Sequence, residues 1–385
     1  MIKIVKMKTR IVKTGMISRT EMFRMMALAE SVNHGLLFVG AVGTGKTRVV
    51  LDYIASEIQS EYANNVTDDT EEPSEADIVQ ARSTNESINK TINSDDIFIL
   101  ETDEGTRASA VKGIVDIQKL VLENVYDMIT PIATAKTILI NEVDKASGPM
   151  RNSLLGVMNE RRIFNGKNKI PCDWEMFIAT CNIIPEDEMG SPFWDRFPLK
   201  CEVSRITSTQ LLKYFEEGGE QREQIITLKI PEFKDMESLV IPQEKMEKFL
   251  GVAYEHCSDR TLVMVPKIVK AITFIWRCSL DKAFIKCAEL LINKSAASKL
   301  SQELLSPEMK IIHNAIQMIQ VADSEDRRKQ EIENVKNLVT KYLKEGKITP
   351  DQIREMEHIV ASIADSQVQQ TDTELSDEDF VVTLK

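Results

Sequence analysis

Eight consecutive residues, Gly40-Ala41-Val42-Gly43-Thr44-Gly45-Lys46-Thr47, match the spacing G-x-x-x-x-G-K-[ST] at every fixed position. That spacing suits a loop wrapped around a triphosphate. Glycines at 40, 43 and 45 let backbone N–H groups curl around phosphate oxygens, and a helix beginning at Thr47 adds its positive end. Lys46 is placed to reach the β- and γ-phosphates, the Thr47 hydroxyl to bind Mg²⁺, and Arg48 closes the stretch.

Further along, Ile138-Leu139-Ile140-Asn141-Glu142 ends an apolar run in polar groups. Hydrolysis of ATP needs an acid to order Mg²⁺ and a carboxylate to orient or polarise the attacking water. Glu142 suits the second task. Asn141 stands where an aspartate is expected. Its amide oxygen can hold a metal-bound water but brings no charge to the ion, so weaker Mg²⁺ binding or slower turnover is expected. Phe177-Ile178-Ala179-Thr180-Cys181-Asn182 ends in an amide that would face the γ-phosphate or its water, although an Asn there also reads as a turn residue. Arg196, within Phe193-Trp194-Asp195-Arg196-Phe197, reads as a cation over a core edge or as a group reaching a neighbouring subunit's nucleotide. Arg260, after Ser258-Asp259, reads as a first-turn surface residue or as a group closing over the nucleotide from a second domain.

These residues need a scaffold. Residues 36–39, 97–101, 137–140 and 176–180 read as buried strands. They alternate with helices over 18–33 (capped by Ser18 or Thr20), 47–58, 114–128 and 151–160. The third of these would turn Ile117, Leu120, Val121 and Val125 to one side. Residues 162–170 read as a hairpin turning at Asn165-Gly166. Alternation of this kind, with the phosphate loop after the first strand, indicates a parallel α/β sheet. Residues 59–95 are rich in Asn, Ser, Thr, Asp and Glu and read as a disordered acidic insertion. Beyond about 204 the pattern is mostly helical, at 242–254, 262–278, 308–321, 325–342 and 351–364. The division expected is a nucleotide-binding core over 1–203, a helical lid over 204–300, a helical region over 301–364 and a disordered acidic tail over 365–385.

The chain has 385 residues, 43% of them hydrophobic, enough for a sizeable core and about two or three domains. No apolar run is long enough to span a membrane, and the short charged N-terminus does not read as a secretory signal. Six cysteines without C-x-x-C spacing, and four histidines, argue against zinc and for reduced thiols in a cytoplasmic protein. A net charge of -12 argues against sequence-independent binding of nucleic acid, short of a local basic channel.

Taken in order, these motifs resemble those of an AAA+ ATPase, and more narrowly of the MoxR group and its RavA-like members. The carrying residues are the 141–147 and 152–162 segments, Phe164-Asn165-Gly166, the 177–186 segment and Asp195-Arg196-Phe197, within a resemblance over 15–280. It implies a P-loop NTPase core with a helical lid. It also implies that Asn182 is sensor 1, Arg196 an arginine finger, Arg260 sensor 2 and the 162–170 hairpin the pre-sensor-1 insertion. Segment 104–113, with Arg107 and Lys112, would be a loop facing a central pore. The family's hexameric rings use ATP and Mg²⁺ to remodel or activate client proteins as a chaperone does, often beside a partner bearing a von Willebrand factor A domain. Two other functions stay open. One is a replication-type motor whose hairpin residues Arg162, Lys167 and Lys169 face DNA; the other is an ATP-dependent switch that hydrolyses poorly.

Overall fold

The computed structural model describes residues 5–348 except 17, 64–94, 166–167, 189, 217–223, 232–235, 238, 322–323, 346. Along the chain, β1 (Val5–Thr14), α1 (Thr20–Val32), β2 (Gly35–Val39), α2 (Lys46–Ile54) and β3 (Glu57–Ala63) come first. Next are β4 (Ile97–Glu101), α3 (Ser109–Lys112), β5 (Ile114–Val115), α4 (Ile117–Leu122), β6 (Met128–Ile129) and α5 (Pro131–Thr134). They lead to β7 (Thr137–Asn141), α6 (Gly148–Asn159), the hairpin β8 (Arg162–Asn165) and β9 (Asn168–Pro171), β10 (Met176–Cys181) and β11 (Leu199–Glu202). After α7 (Ser208–Glu216) and β12 (Gln224–Pro231), the described elements are all helices: α8 (Gln243–Ala253), α9 (Asp259–Ile275), α10 (Leu280–Leu291), α11 (Lys294–Leu304), α12 (Pro307–Val321) and α13 (Glu325–Lys344).

Five strands form a parallel sheet in the order β11-β2-β10-β7-β4. The inner strands are buried on both faces, which is why they read as uninterrupted apolar runs. One face carries α6 and the aromatic cluster of Trp174, Phe177, Phe193, Trp194 and Phe197. On α1, Phe23, Met25, Met26 and Leu28 are fully buried, and that helix packs on α2, α9 and the strands. Because β10 is seated between β2 and β7, the carboxyl ends of all three meet where the phosphate loop leaves the sheet.

A second, antiparallel sheet, β12-β1-β3, departs from the sequence reading. The expected helix over 47–58 stops at Ile54, and residues 59–63 of the supposed disordered insertion form the body of β3, paired with β1. Residues 64–94 lie outside the described residues. β12, within the stretch expected to be a mostly helical lid, pairs with β1 from Met7↔Pro231 to Thr14↔Gln224. These strands stabilise one another across more than two hundred residues of chain, and each is polar enough on its own to hide. Arg10 ties this sheet to the core: its Nε donates to Glu30 Oε2 at 2.8 Å, and its guanidinium stacks on Tyr53, whose hydroxyl donates to the same carboxylate at 2.7 Å.

The expected helix over 114–128 is replaced by β5, α4 and β6. Asp116 interrupts it by capping Lys119 N and by donating its own N–H to Asp127 O, and Asn124 ends it in the left-handed region at φ 53°. Ile117, Leu120, Val121 and Val125 are consequently exposed rather than packed on one side.

The chain divides into two compact units at Leu300/Ser301. In the second, α12 and α13 pack through Ile312, Ile316, Ile319, Val335 and Tyr342. Residues 351–385, which include the helix expected at 351–364 and the acidic tail, are outside the described residues.

Candidate functional site

Gly43 and Gly45 hold φ of 80° and 78°, conformations that favour glycine and that wrap the loop tightly before α2 begins at Lys46. Lys46 is 9% exposed and turns back over the loop, its Nζ donating to Gly40 O at 2.6 Å, Ala41 O at 3.1 Å and Asn182 Oδ1 at 3.4 Å. Burial lowers the lysine's pKa, opposed by Cys181, Asp144 and Glu142 nearby. Thr44 Oγ1 donates to Ala41 O, and the Val42 tip is exposed. Arg48 turns along its helix to Asp52 at 2.8 Å.

Beside the loop, Thr47 Oγ1 donates to Asn141 Oδ1 at 3.3 Å, and Thr180 Oγ1 donates to the same oxygen at 3.2 Å. Thr180 Oγ1 also accepts from Glu142 N. Glu142 is a non-glycine residue in the left-handed region, at φ 57° and ψ 40°, a conformation that costs on the order of 1 kcal/mol or more and is concentrated at functional sites. Its carboxylate is met by Lys145 at 2.6 Å, and that bond raises the lysine's pKa. Asp144 Oδ2 accepts from Asn182 N at 3.3 Å, while its Oδ1 is buried with no hydrogen-bond partner.

These groups fit a magnesium nucleotide. The Thr47 hydroxyl and the Asn141 amide oxygen are hard oxygen donors side by side. Asp144 adds a carboxylate in the loop's neighbourhood, one oxygen of which is buried without a hydrogen-bond partner. Thr47 would take the ion directly and Asn141 would hold it through water.

Arg196 and Arg260 stand elsewhere. Arg196 Nη1 lies 3.4 Å from Asp195 Oδ2, and Arg260 Nη1 lies 3.8 Å from the same oxygen. Burial lowers the pKa of Arg196, with Arg260 next in effect, and its Nε is buried without a partner. The Arg196 carbonyl would be 3.5 Å from a Cβ on Gly35, at the start of β2, whereas the phosphate loop leaves the strand's far end, about 13 Å away at the usual rise per residue. His34, just before β2, feels Arg161, Lys267 and Arg260. Arg260, expected to close over the nucleotide, is paired here with Asp195 and lies within electrostatic reach of His34.

Residues 104–239 match the family model for bpMoxR, the MoxR domain in the MoxR-vWA-beta-propeller ternary systems. Over that stretch the chain is similar to a MoxR domain. Over 112 residues the chain is 31% identical to a structural protein of Acidianus two-tailed virus, covering 28% of this chain and 18% of the relative. Over 153 residues it is 25% identical to an uncharacterized protein of Methanocaldococcus jannaschii, covering 37% of this chain and 40% of the relative. The chain thus spans less than half the length of either curated relative. A solved structure, described as that of an ATPase candidate from Cytophaga hutchinsonii, is 14% identical with a TM-score of 0.47, covering 72% of this chain and 82% of that one.

Around the carboxyl ends of the parallel strands, the fold brings together Lys46, Thr47, Asn141 and Asn182, with Glu142 adjacent but turned to Lys145. Sequence reasoning missed Thr180, Asp144, Asp195 and Arg19. Thr180 was within reach, since it shares a strand face with Asn182 two residues on. Arg19 carried no sequence signal, because its acceptors are backbone carbonyls 25 and 185 residues away. At the far side, Arg162 and Lys169 of the hairpin are exposed, as is Arg107, while Lys112 is half-buried at the end of α3; Lys167 is outside the described residues.

Proposed function

We propose that this MoxR-type chain binds and hydrolyses MgATP as one subunit of a homo-oligomeric ring, hexameric by family resemblance, and uses the cycle to remodel or activate a client protein. The supporting observation is a division of labour across one sheet. Its carboxyl edge carries Lys46, Thr47, Asn141, Glu142 and Asn182, and its other edge carries Arg196 and Arg260. Two arginines gathered so far from their own chain's phosphate loop are of use to a neighbour's nucleotide, where they would supply charge as phosphate oxygens develop it.

Bound Mg²⁺ would neutralise charge on the β- and γ-phosphates. Lys46 exchanges its loop carbonyls for phosphate oxygens. Asn182 orients the γ-phosphate side of the site, and Glu142, once released from Lys145, polarises the attacking water. Motion then passes between subunits as a rigid-body change. The exposed apolar side chains of α4, with Val121 73% and Leu122 81% exposed, supply a surface for a client or neighbour. A partner with a von Willebrand factor A domain is proposed from the family model's description.

The test uses Lys46→Ala, Arg196→Ala and Arg260→Ala. The first should abolish nucleotide binding; the other two should bind nucleotide and fail to turn it over. If the wild type stays monomeric with saturating MgATP and both arginine variants match its turnover, the ring reading is lost.

A second reading, the slow switch, is favoured by Asn141 itself. Its side-chain oxygen already accepts from two hydroxyls and brings no charge. A large gain of turnover in Asn141→Asp would favour the switch; an unchanged rate would favour the motor.

A further inference from the structure

The entry to α1 touches the phosphate loop on one side and the helices of the C-terminal half of the first unit on the other. Arg19 occupies the N-cap position, where Ser18 or Thr20 was expected to act, yet it makes no side-chain cap bond. Its guanidinium reaches outward instead, donating from Nη2 to Thr44 O at 2.9 Å and from Nη1 to Ser204 O at 3.0 Å. The residue is 6% exposed and its Nε is buried without a partner. A planar fork of this kind fixes two acceptors at once, which a lysine cannot do.

The loop is wedged at the same place. A Cβ on Gly45 would fall 2.1 Å from Met16 Cε, and one on Gly40 would fall 2.3 Å from Val203 O. Val203 N in turn donates to Val39 O at 2.7 Å. The loop therefore has little room to change shape without pressing on the segment before α1 or on the chain leaving β11.

Two residues beyond Arg19, Glu21 faces the other way. Its Oε2 accepts from Trp276 Nε1 at 3.3 Å, at the end of α9, and its Oε1 lies 2.9 Å from Lys286 Nζ on α10. Burial opposes the charge on Lys286, but its bonds to Glu21 and Glu289 outweigh it and raise the pKa. The rest of α1 is locked into the core by Phe23, Met25 and Met26, all without exposure, so its first turn moves as a unit or not at all.

We infer that Arg19 and Glu21 are positioning residues that carry the occupancy of the phosphate loop to α9 and α10, Arg19 reading the Thr44 carbonyl and Glu21 holding Trp276 and Lys286. The inference rests on nucleotide binding at Gly40–Thr47 as proposed above. When loop N–H groups turn to phosphate, the Thr44 peptide reorients, and the fork on its carbonyl passes that change to Ser204 and to the turn bearing Glu21. Coupling of this kind is a difference in free energy between two arrangements and is read as such.

Trp276 is the reporter. The other two tryptophans, Trp174 and Trp194, are 2% and 1% exposed, while Trp276 is half-buried with its indole N–H on Glu21. Titration of the full chain with MgADP, binding being measured by calorimetry, should shift the indole emission of the wild type and leave Trp276→Phe without the shift. Arg19→Ala and the milder Glu21→Gln should bind MgADP within about threefold of the wild type and lose most of the emission change, with Arg19→Lys between. A full emission change in both variants overturns the inference, as does a wild type that binds without any change. Loss of binding in Arg19→Lys in step with the signal also overturns it, by making Arg19 a binding residue. A wild type that binds no nucleotide defeats the functional reading first.

Discussion

Both oxygens of Asn141 are occupied. Its amide oxygen accepts from Thr47 and Thr180, and its carbonyl accepts from Thr102 N and Thr102 Oγ1. An aspartate placed there would keep both hydroxyl donors and add a charge to the proposed Mg²⁺ site. Asn141→Asp should therefore lower the Mg²⁺ concentration for half-maximal nucleotide binding about tenfold, the equivalent of roughly 1.4 kcal/mol; binding titrations across Mg²⁺ concentrations measure this. Lys46→Ala removes the cation aimed at the phosphates and should weaken nucleotide binding at least about 30-fold, read by calorimetry. His34 gives a pH signature. Burial first, then the positive charges of Arg161, Lys267 and Arg260, hold its pKa at about 4, against an ordinary 6.5. Between those values the unfolded chain binds the extra proton, so this contribution to stability is complete above pH 6.5 and is lost as pH falls toward 4. His34→Gln should flatten that part of the pH dependence in urea melts compared at pH 7 and pH 5; equal slopes in the two proteins would refute the assignment.

At the scale of elements, the Arg10–Glu30–Tyr53 cluster joins β1, α1 and α2 in one buried polar knot. Glu30→Ala leaves the Arg10 guanidinium buried without its carboxylate and should cost about 3–5 kcal/mol in urea unfolding. Because α2 starts at Lys46, the same variant should also weaken nucleotide binding, whereas Glu30→Gln, which retains an acceptor, should do less of both. The parallel strands were legible in the sequence because burial on both faces leaves a signature of unbroken apolar residues. β1, β3 and β12 were not, since each depends on a partner distant in sequence and mixes polar with apolar residues. The 114–129 segment misled for the opposite reason: its helical apolar spacing is real, yet Asp116 and Asn124 break the helix and the fold offers that face nothing to pack against.

For the whole molecule, the separation of the phosphate loop from Arg196 and Arg260 sets the expectation for assembly. On the proposed reading, a working site takes the loop of one subunit and the arginines of the next. Lys46→Ala and Arg196→Ala should each be inactive alone. Mixed in equal amounts and allowed to exchange, they should recover about a quarter of wild-type turnover, since random assembly pairs an intact loop with an intact arginine at that frequency. No recovery in a mixture shown to exchange subunits would argue that Arg196 acts within its own chain.

The sequence alone determined that a phosphate loop follows a buried strand, that Asn141 replaces an acid, and that a parallel sheet holds both. These are local facts, written in spacing and in apolar runs. Only the tertiary structure decided that Thr180 and Asp144 join the site, that Asp195 gathers two arginines at the edge away from it, and that Arg19 grips the loop. The reason is physical: these contacts are made to backbone carbonyls and to side chains tens or hundreds of residues away, and no periodicity in the chain encodes a bond whose partner is fixed by the packing of the sheet.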